Sequence, residues 1–562
     1  MQKFSDIQYV RPDMDAIRAR MSEQVGQLEQ ATDYAQARAA YLAYEQTGRE
    51  LETMASLASI RNTLDTTDEF YEGEVNYING EYAKMTGLTK RAARALLISP
   101  FRADFEAEFG AQFLRVMAAS ERIQCEENIE LTIQQDLECV EFNKTAAGCS
   151  CEFDGEICNF YGLQRHMQST DRDERRRAFL KWAELYEKAS PQLDAQFDKL
   201  TALRKEMARR AGFANFTEMA YLSHNRLDYG PDDVRAFREQ VKQVIVPVCA
   251  RLFEEQAQRL GVDKLRYYDE SLVYPEGNAV PQGDMRTLVG KALKMYRELS
   301  PETGEYFDFM AEHELFDLET RPGKHMGGYC TSLPGYDAPF IFSNFNGTSA
   351  DVDVLTHEAG HAFECYTAMR CQPLMSYHYS TSEVNEIHSM AMEFFTYPWM
   401  ELFFGENADK YRRSHLMLAL EVIPYMCCVD EFQHHIYAEE LDAAGRRRVW
   451  RELERQYMPW RDYDGNAFLE GGGFWMQKQH IFLYPFYYID YALAQTCVFE
   501  LYGRMKQDRA AAWQDYLRLC RAGGSKGYME LLKVANLHSP FLPGSVEAAV
   551  KCVTESLESG KF

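Results

Sequence analysis

The chain has 562 residues and a formal net charge of −25, from 61 Lys and Arg against 86 Asp and Glu. That balance, with no lysine-rich stripe, excludes nucleic acid as a partner, because binding it needs a basic footprint. Hydrophobic residues make up 46% of the chain, enough for a substantial core, yet no stretch approaches the roughly 18 continuous apolar residues that a membrane span requires.

From the N-terminus, Met1-Gln-Lys-Phe-Ser-Asp-Ile7 runs into polar helix with no export signal. Helical periodicity predicts helices over 12–30, 34–64, 79–96, 101–142, 171–211, 232–260, 285–313, 353–370, 382–403, 408–440, 445–457, 475–503, 508–520 and 545–558. Between them, Cys151–Tyr161 reads as a short hairpin around Asp154-Gly155. Gly327–Ser332 and Pro339–Asn344 flank a Leu333-Pro334-Gly335 turn and form the one persuasive strand pair. Its edge can hold an extended peptide by backbone hydrogen bonds, or it is a plain structural hairpin. Glu470-Gly471-Gly472-Gly473 reads as a mobile loop at a site entrance or a simple helix-to-helix loop. Fourteen cysteines without an export signal point to reduced thiols and a cytoplasmic location. Cys149, Cys151 and Cys158 group like metal ligands but lack a clear fourth. The expected fold class is mainly α, with a minor sheet next to the 353–370 helix.

Within that helix lies His357-Glu358-Ala359-Gly360-His361. Histidines four apart share a helix face and reach one zinc ion, and the glutamate between them sits beside the metal, placed to take a proton from water. The bland alternative is a surface helix with two solvated histidines. Against it, Val352, Leu355, Ala359, Ala362 and Tyr366 form an apolar stripe at helical spacing, so the helix is packed. A catalytic zinc takes three protein ligands and leaves one position open. Downstream, Ser380-Thr381-Ser382-Glu383 has the form of a capping box and starts a helix that carries Glu386 and Glu393 on one face. Glu386 is the expected third ligand, with Glu383 and His388 as weaker competitors. Glu393 is a candidate to orient a ligating histidine, or else a solvated glutamate, and Asp353 is a second such candidate.

His357–His361 followed by Glu386-Ile-His-Ser-Met-Ala-Met-Glu393 resembles the M3 family of zinc metallopeptidases, which includes thimet oligopeptidase, and within it the bacterial oligoendopeptidase F-like branch. The opening Phe4–Asp13, Phe153–Glu156 with Ser169–Arg175, Asn344–Thr348 and His480–Ala494 are similar to the same branch. The resemblance implies a large helical peptidase fold that encloses a deep channel with one zinc ion at its floor. It implies short unstructured peptides as substrates, cut internally, with Glu358 as general base. On the same ground the 480–491 stretch supplies polar groups facing the metal. Tyr488 and Tyr491 are expected to donate to the oxyanion or a substrate carbonyl, while His480 and Tyr484 bind substrate; an aromatic helix core is the alternative for each. The division expected is an N-terminal helical region, 1–165, and a catalytic region, 166–562. A related exopeptidase of the dipeptidyl carboxypeptidase kind, or a non-catalytic peptide-binding protein with a zinc staple, would carry the same ligands. No membrane partner is expected, and the oligomeric state is left open.

Overall fold

The computed structural model describes residues 1–562. Helices dominate, and several begin where a side chain takes up the free N–H groups of a first turn. Asp13 accepts from Ala16 N, and Asp33 from Gln36 N, at the starts of Met14–Gln30 and Tyr34–Leu64. Ser300-Pro301 divides the predicted 285–313 helix into Met285–Leu299 and Pro301–Glu312, since Ser300 caps the second piece and Pro301 opens it. The predicted 101–142 helix is three pieces, broken first at Gly110. The predicted 79–96 helix is two, Glu69–Ala83 and Thr86–Leu97.

A larger correction falls at 475–503. The chain there forms Gly473–Gln477 and Gln479–Leu483, then breaks, and resumes as a helix at Ile489–Gln507. Pro485 explains the break: it has no N–H and drives the preceding residue out of the helical region. Tyr484 accordingly stands at φ −134°, ψ 66°. Short helices at Phe160–His166, Phe216–Ser223 and Tyr528–Val534 lie outside the expected set.

The main sheet has three strands, with Ala338–Phe345 in the middle. Tyr329–Leu333 pairs with it antiparallel, Tyr329 opposite Phe342 and Leu333 opposite Ala338. Phe316–Glu319, not expected from sequence, pairs parallel on the other side, Phe316 opposite Ile341. The middle strand is buried through Ser343, which suits its near-continuous apolar run. It leads directly into the helix Ala350–Cys371 that carries both histidines. Tyr329–Leu333 is thus an edge. It faces the helix Tyr34–Leu64 across a cavity of about 470 Å³ lined by Glu52, Ser56, Thr63, Tyr329, Cys330 and Thr331. No helix is long and apolar enough to cross a membrane.

Candidate metal centre

Gly360, between the two histidines, lets two helices meet. A methyl group there would stand 2.6 Å from His388 O and from Ser389 Cα on the neighbouring helix Ser382–Phe395. Only a glycine permits that approach, and the approach brings Glu386 to the histidines. Glu386 Oε2 lies 3.4 Å from His357 Nε2 and 3.6 Å from His361 Nε2. The three potential ligand atoms all fall within 4.8 Å of one another. Tetrahedral zinc with bonds of about 2.0–2.1 Å separates its ligand atoms by roughly 3.3 Å. The donor set, two imidazoles and a carboxylate, is also one that zinc takes. Glu383 and His388 are buried but stand outside this group.

The start of the Glu386 helix departs from expectation. Thr381 makes no capping bond. Asn385 serves instead, accepting from Ser380 N at 2.9 Å and donating to Ser380 O at 3.3 Å. Glu383 turns inward, where burial and then the neighbouring Asp490 carboxylate push its carboxyl up to about 8.

Beside the trio, one carboxylate orients the His357 ring. His357 Nδ1 lies 2.6 Å from Glu393 Oε1. Glu393 Oε2 receives His415 Nε2 at 2.7 Å, and Tyr397 Oη meets His415 Nδ1 at 2.7 Å. Glu393 is therefore a half-buried, doubly bonded carboxylate rather than a solvated one, and this chain of contacts fixes the His357 ring with Nε2 toward Glu386. Burial disfavours charge on His357, but Glu386 and Glu393 outweigh it and hold the imidazole above its ordinary range. Glu386, buried against both histidines, is held below the carboxylate range despite its desolvation. Asp353 spends its hydrogen bond outside the trio. It accepts from Tyr411 Oη at 2.6 Å, and burial pushes it up to about 6.

Glu358 is 8% exposed and lies off the trio. Burial raises its carboxyl, with His357 and His361 pulling the other way. A methyl on Gly328, beside the start of the edge strand, would stand 3.7 Å from Glu358 Oε1. The edge strand thus begins at the carboxylate.

The aromatic stretch surrounds the centre unevenly. Tyr487, which was not among the expected residues, donates to Glu386 Oε1 at 2.8 Å. Ser389 Oγ donates to Glu386 Oε2 at 3.1 Å. His480 stacks with Tyr487 at 6.1 Å between ring centres, and Tyr491 lies 5.2 Å from Tyr487. Burial, then Lys478, lowers His480 to about 4, so it is neutral at neutral pH. Burial and the Glu386 carboxylate keep Tyr491 above the tyrosine range, hence protonated. Tyr488 has its ring 4.9 Å from that of His480; its hydroxyl accepts from Lys478 Nζ at 3.0 Å, and it lines a cavity of about 410 Å³ with Tyr425, Glu421 and Arg461. Tyr484 is 57% exposed beside His480.

The glycine run fits the second of its two expected readings, a simple loop between helices. A methyl on Gly472 would fall 2.0 Å from Arg447 O, and Gly472 and Gly473 are buried, so the segment is a packed turn rather than a mobile loop. Elsewhere, Glu156, Cys158 and His166 approach one another, without Cys149 or Cys151. Glu156 is exposed and paired with Arg165, and His166 with Glu174.

Comparison with known proteins follows the same lines. The model of peptidase family M3 matches residues 165–287 and 305–548, and that of the peptidase M3 N-terminal domain matches 4–123. Oligopeptidase PepF of Bacillus subtilis is 24% identical over 352 residues, covering 60% of this chain and 50% of the relative. An oligoendopeptidase F homolog of Borreliella burgdorferi is 22% identical over 389 residues, covering 66% and 62%. The chain therefore matches less than two thirds of the length of these curated relatives. The structure of PZ peptidase A with inhibitor 2 superposes with a TM-score of 0.95 at 43% identity, over 99% of each chain. Oligoendopeptidase-F from Enterococcus faecium shares the fold, with a TM-score of 0.65 at 17% identity over 98% of each chain. The chain belongs to peptidase family M3, a family of metallopeptidases.

Proposed function

We propose that this protein is a zinc-dependent oligoendopeptidase that cuts internal bonds of short, unstructured peptides. The observation that carries this reading is the convergence of His357, His361 and Glu386 with Glu358 left free beside them. His357, His361 and Glu386 would hold one zinc ion, which supplies Lewis-acid polarisation and lowers the pKa of water near it. Glu358 takes the proton of the attacking water. Its raised carboxyl pKa then suits returning that proton to the leaving amine. Tyr491, protonated and close to Glu386, donates a hydrogen bond to the developing oxyanion. Neutral His480 is placed to bond the substrate backbone. The unpaired edge of Tyr329–Leu333, half-buried at Tyr329–Thr331 and beginning beside Glu358, supports backbone pairing with an extended peptide, which grips without reading side chains. The cavity of about 470 Å³ along that edge is where such a peptide would lie. The N-terminal helices 1–165 supply its opposite wall, and 166–562 supply the chemistry.

The test is Glu358→Gln with internally quenched and end-capped peptides, products read by mass spectrometry. The variant keeps its zinc and loses about 10²–10⁴ in turnover, the range of general acid–base catalysis. The parent cuts end-capped peptides internally. Undiminished turnover in the variant removes Glu358 from the chemistry, and release of only terminal dipeptides or single residues makes the enzyme an exopeptidase.

A further inference from the structure

Phe486 breaks a local rule one residue before Tyr487. It is a bulky, fully buried side chain with φ 65°, in the left-handed region that such residues avoid. Strain of this kind persists only where the surroundings over-determine it, and here both backbone polar groups of the residue are gripped. Phe486 N donates to Gln433 Oε1 at 2.9 Å, from the helix Ala408–Ala438. Phe486 O accepts from Arg226 Nη2 at 2.5 Å, and the same nitrogen donates to Asp490 Oδ1 at 2.7 Å. The Arg226 and Asp490 side chains are wholly buried. His224 Nε2 adds a bond to Pro485 O at 2.9 Å. The Phe486 ring is boxed by Phe216, Tyr221, His434 and Tyr437.

A buried ion pair is weak evidence for stability on its own, since desolvation consumes most of its attraction. Its placement is the informative part. Two segments far apart in sequence, 216–226 and the helix Ala408–Ala438, converge on one strained residue, and the next residue bonds Glu386.

We propose that Gln433 and Arg226 are positioning residues: by holding Phe486 in its left-handed turn they aim Tyr487 at Glu386 and so set the Glu386 carboxylate within the metal trio. The inference rests on the metal site proposed above. It places the control of metal affinity partly in residues that touch neither metal nor substrate. Partners of this kind are worth about 10–100-fold in metal affinity.

The experiment is a double-mutant cycle read by zinc affinity, measured by chelator competition and independent of turnover. Gln433→Met keeps the shape and loses the acceptor, and Tyr487→Phe loses the bond to Glu386. Each single variant weakens zinc binding about 10–100-fold, and the double variant binds no more weakly than the poorer single one, because both act through one contact. Should Gln433→Met not fold, Arg226→Lys takes its place in the cycle, since the lysine nitrogen falls one bond short of the Nη2 position that serves both Phe486 O and Asp490 Oδ1. Zinc affinity within twofold of the parent in the folded variant, or additive losses in the double variant, overturns the proposal. His361→Ala separates the two levels: if it binds zinc like the parent, the trio itself is wrong, and the positioning inference falls with it for that separate reason.

Discussion

Gly360→Ala puts the smallest side chain into the tightest contact of the site. The added carbon would stand 2.6 Å from His388 O and Ser389 Cα and 3.0 Å from Met392 Cβ. Ordinary contact needs about 3.5–4.0 Å, so the two helices must part by about 1 Å. Two of the three clashing atoms are backbone, which cannot rotate aside. Overpacking of this order costs about 1–3 kcal/mol. The functional loss is larger, because Glu386 travels with its helix while His357 and His361 stay with theirs. A shift of about 1 Å at a reacting centre costs on the order of 10²-fold. The assay is zinc affinity by chelator competition alongside kcat/KM on a quenched peptide, with far-UV circular dichroism to show that helices remain. A folded Gly360→Ala with parental zinc affinity and turnover would refute the claim that this contact sets the ligand spacing.

Glu393→Gln removes the charge that orients His357 and pairs with His415; zinc affinity should drop about 10–100-fold, and a chelator titration matching the parent contradicts that role. Tyr491→Phe, which deletes the expected oxyanion donor, should lower kcat by about 10²–10³ with little change in KM; a change confined to KM makes Tyr491 a substrate-binding group. His378 is buried, and burial followed by Arg49 lowers it to about 4. The unfolded chain takes up this proton below its ordinary value near 6.5, so the stability from keeping His378 neutral is present above 6.5 and lost as pH falls toward 4. Denaturant unfolding of the parent minus His378→Gln should show that difference shrinking by about 1.4 kcal/mol per pH unit across the window, and a pH-independent difference rules it out.

The sequence carried the centre of the site well, because helical geometry is local. Histidines four apart on a packed helix must share a face, and Glu386 with Glu393 follow from the same period. Their meeting across two helices was signalled only by Gly360, whose role depends on a neighbour the sequence does not name. Tyr487 was hidden for a different reason. Periodicity carried one helix through 475–503, whereas Pro485 ends it and Phe486 turns the chain, which changes the residues that face Glu386. Pro485 was a readable warning; the grip of Gln433 and Arg226 on Phe486, across long sequence separation, was not. His415 likewise reaches Glu393 only through tertiary packing. Phe316–Glu319 escaped notice because a four-residue strand pairing parallel with a distant partner leaves too short a pattern to detect.

Anomalous diffraction at the zinc edge, from crystals grown with zinc, asks the deciding question directly. The expected map has one strong peak within about 2.0–2.2 Å of His357 Nε2, His361 Nε2 and a Glu386 oxygen, with Glu358 outside bonding distance and no fourth side chain bound. A peak elsewhere, or one with Glu358 or another side chain filling the last position, contradicts the metal centre described above.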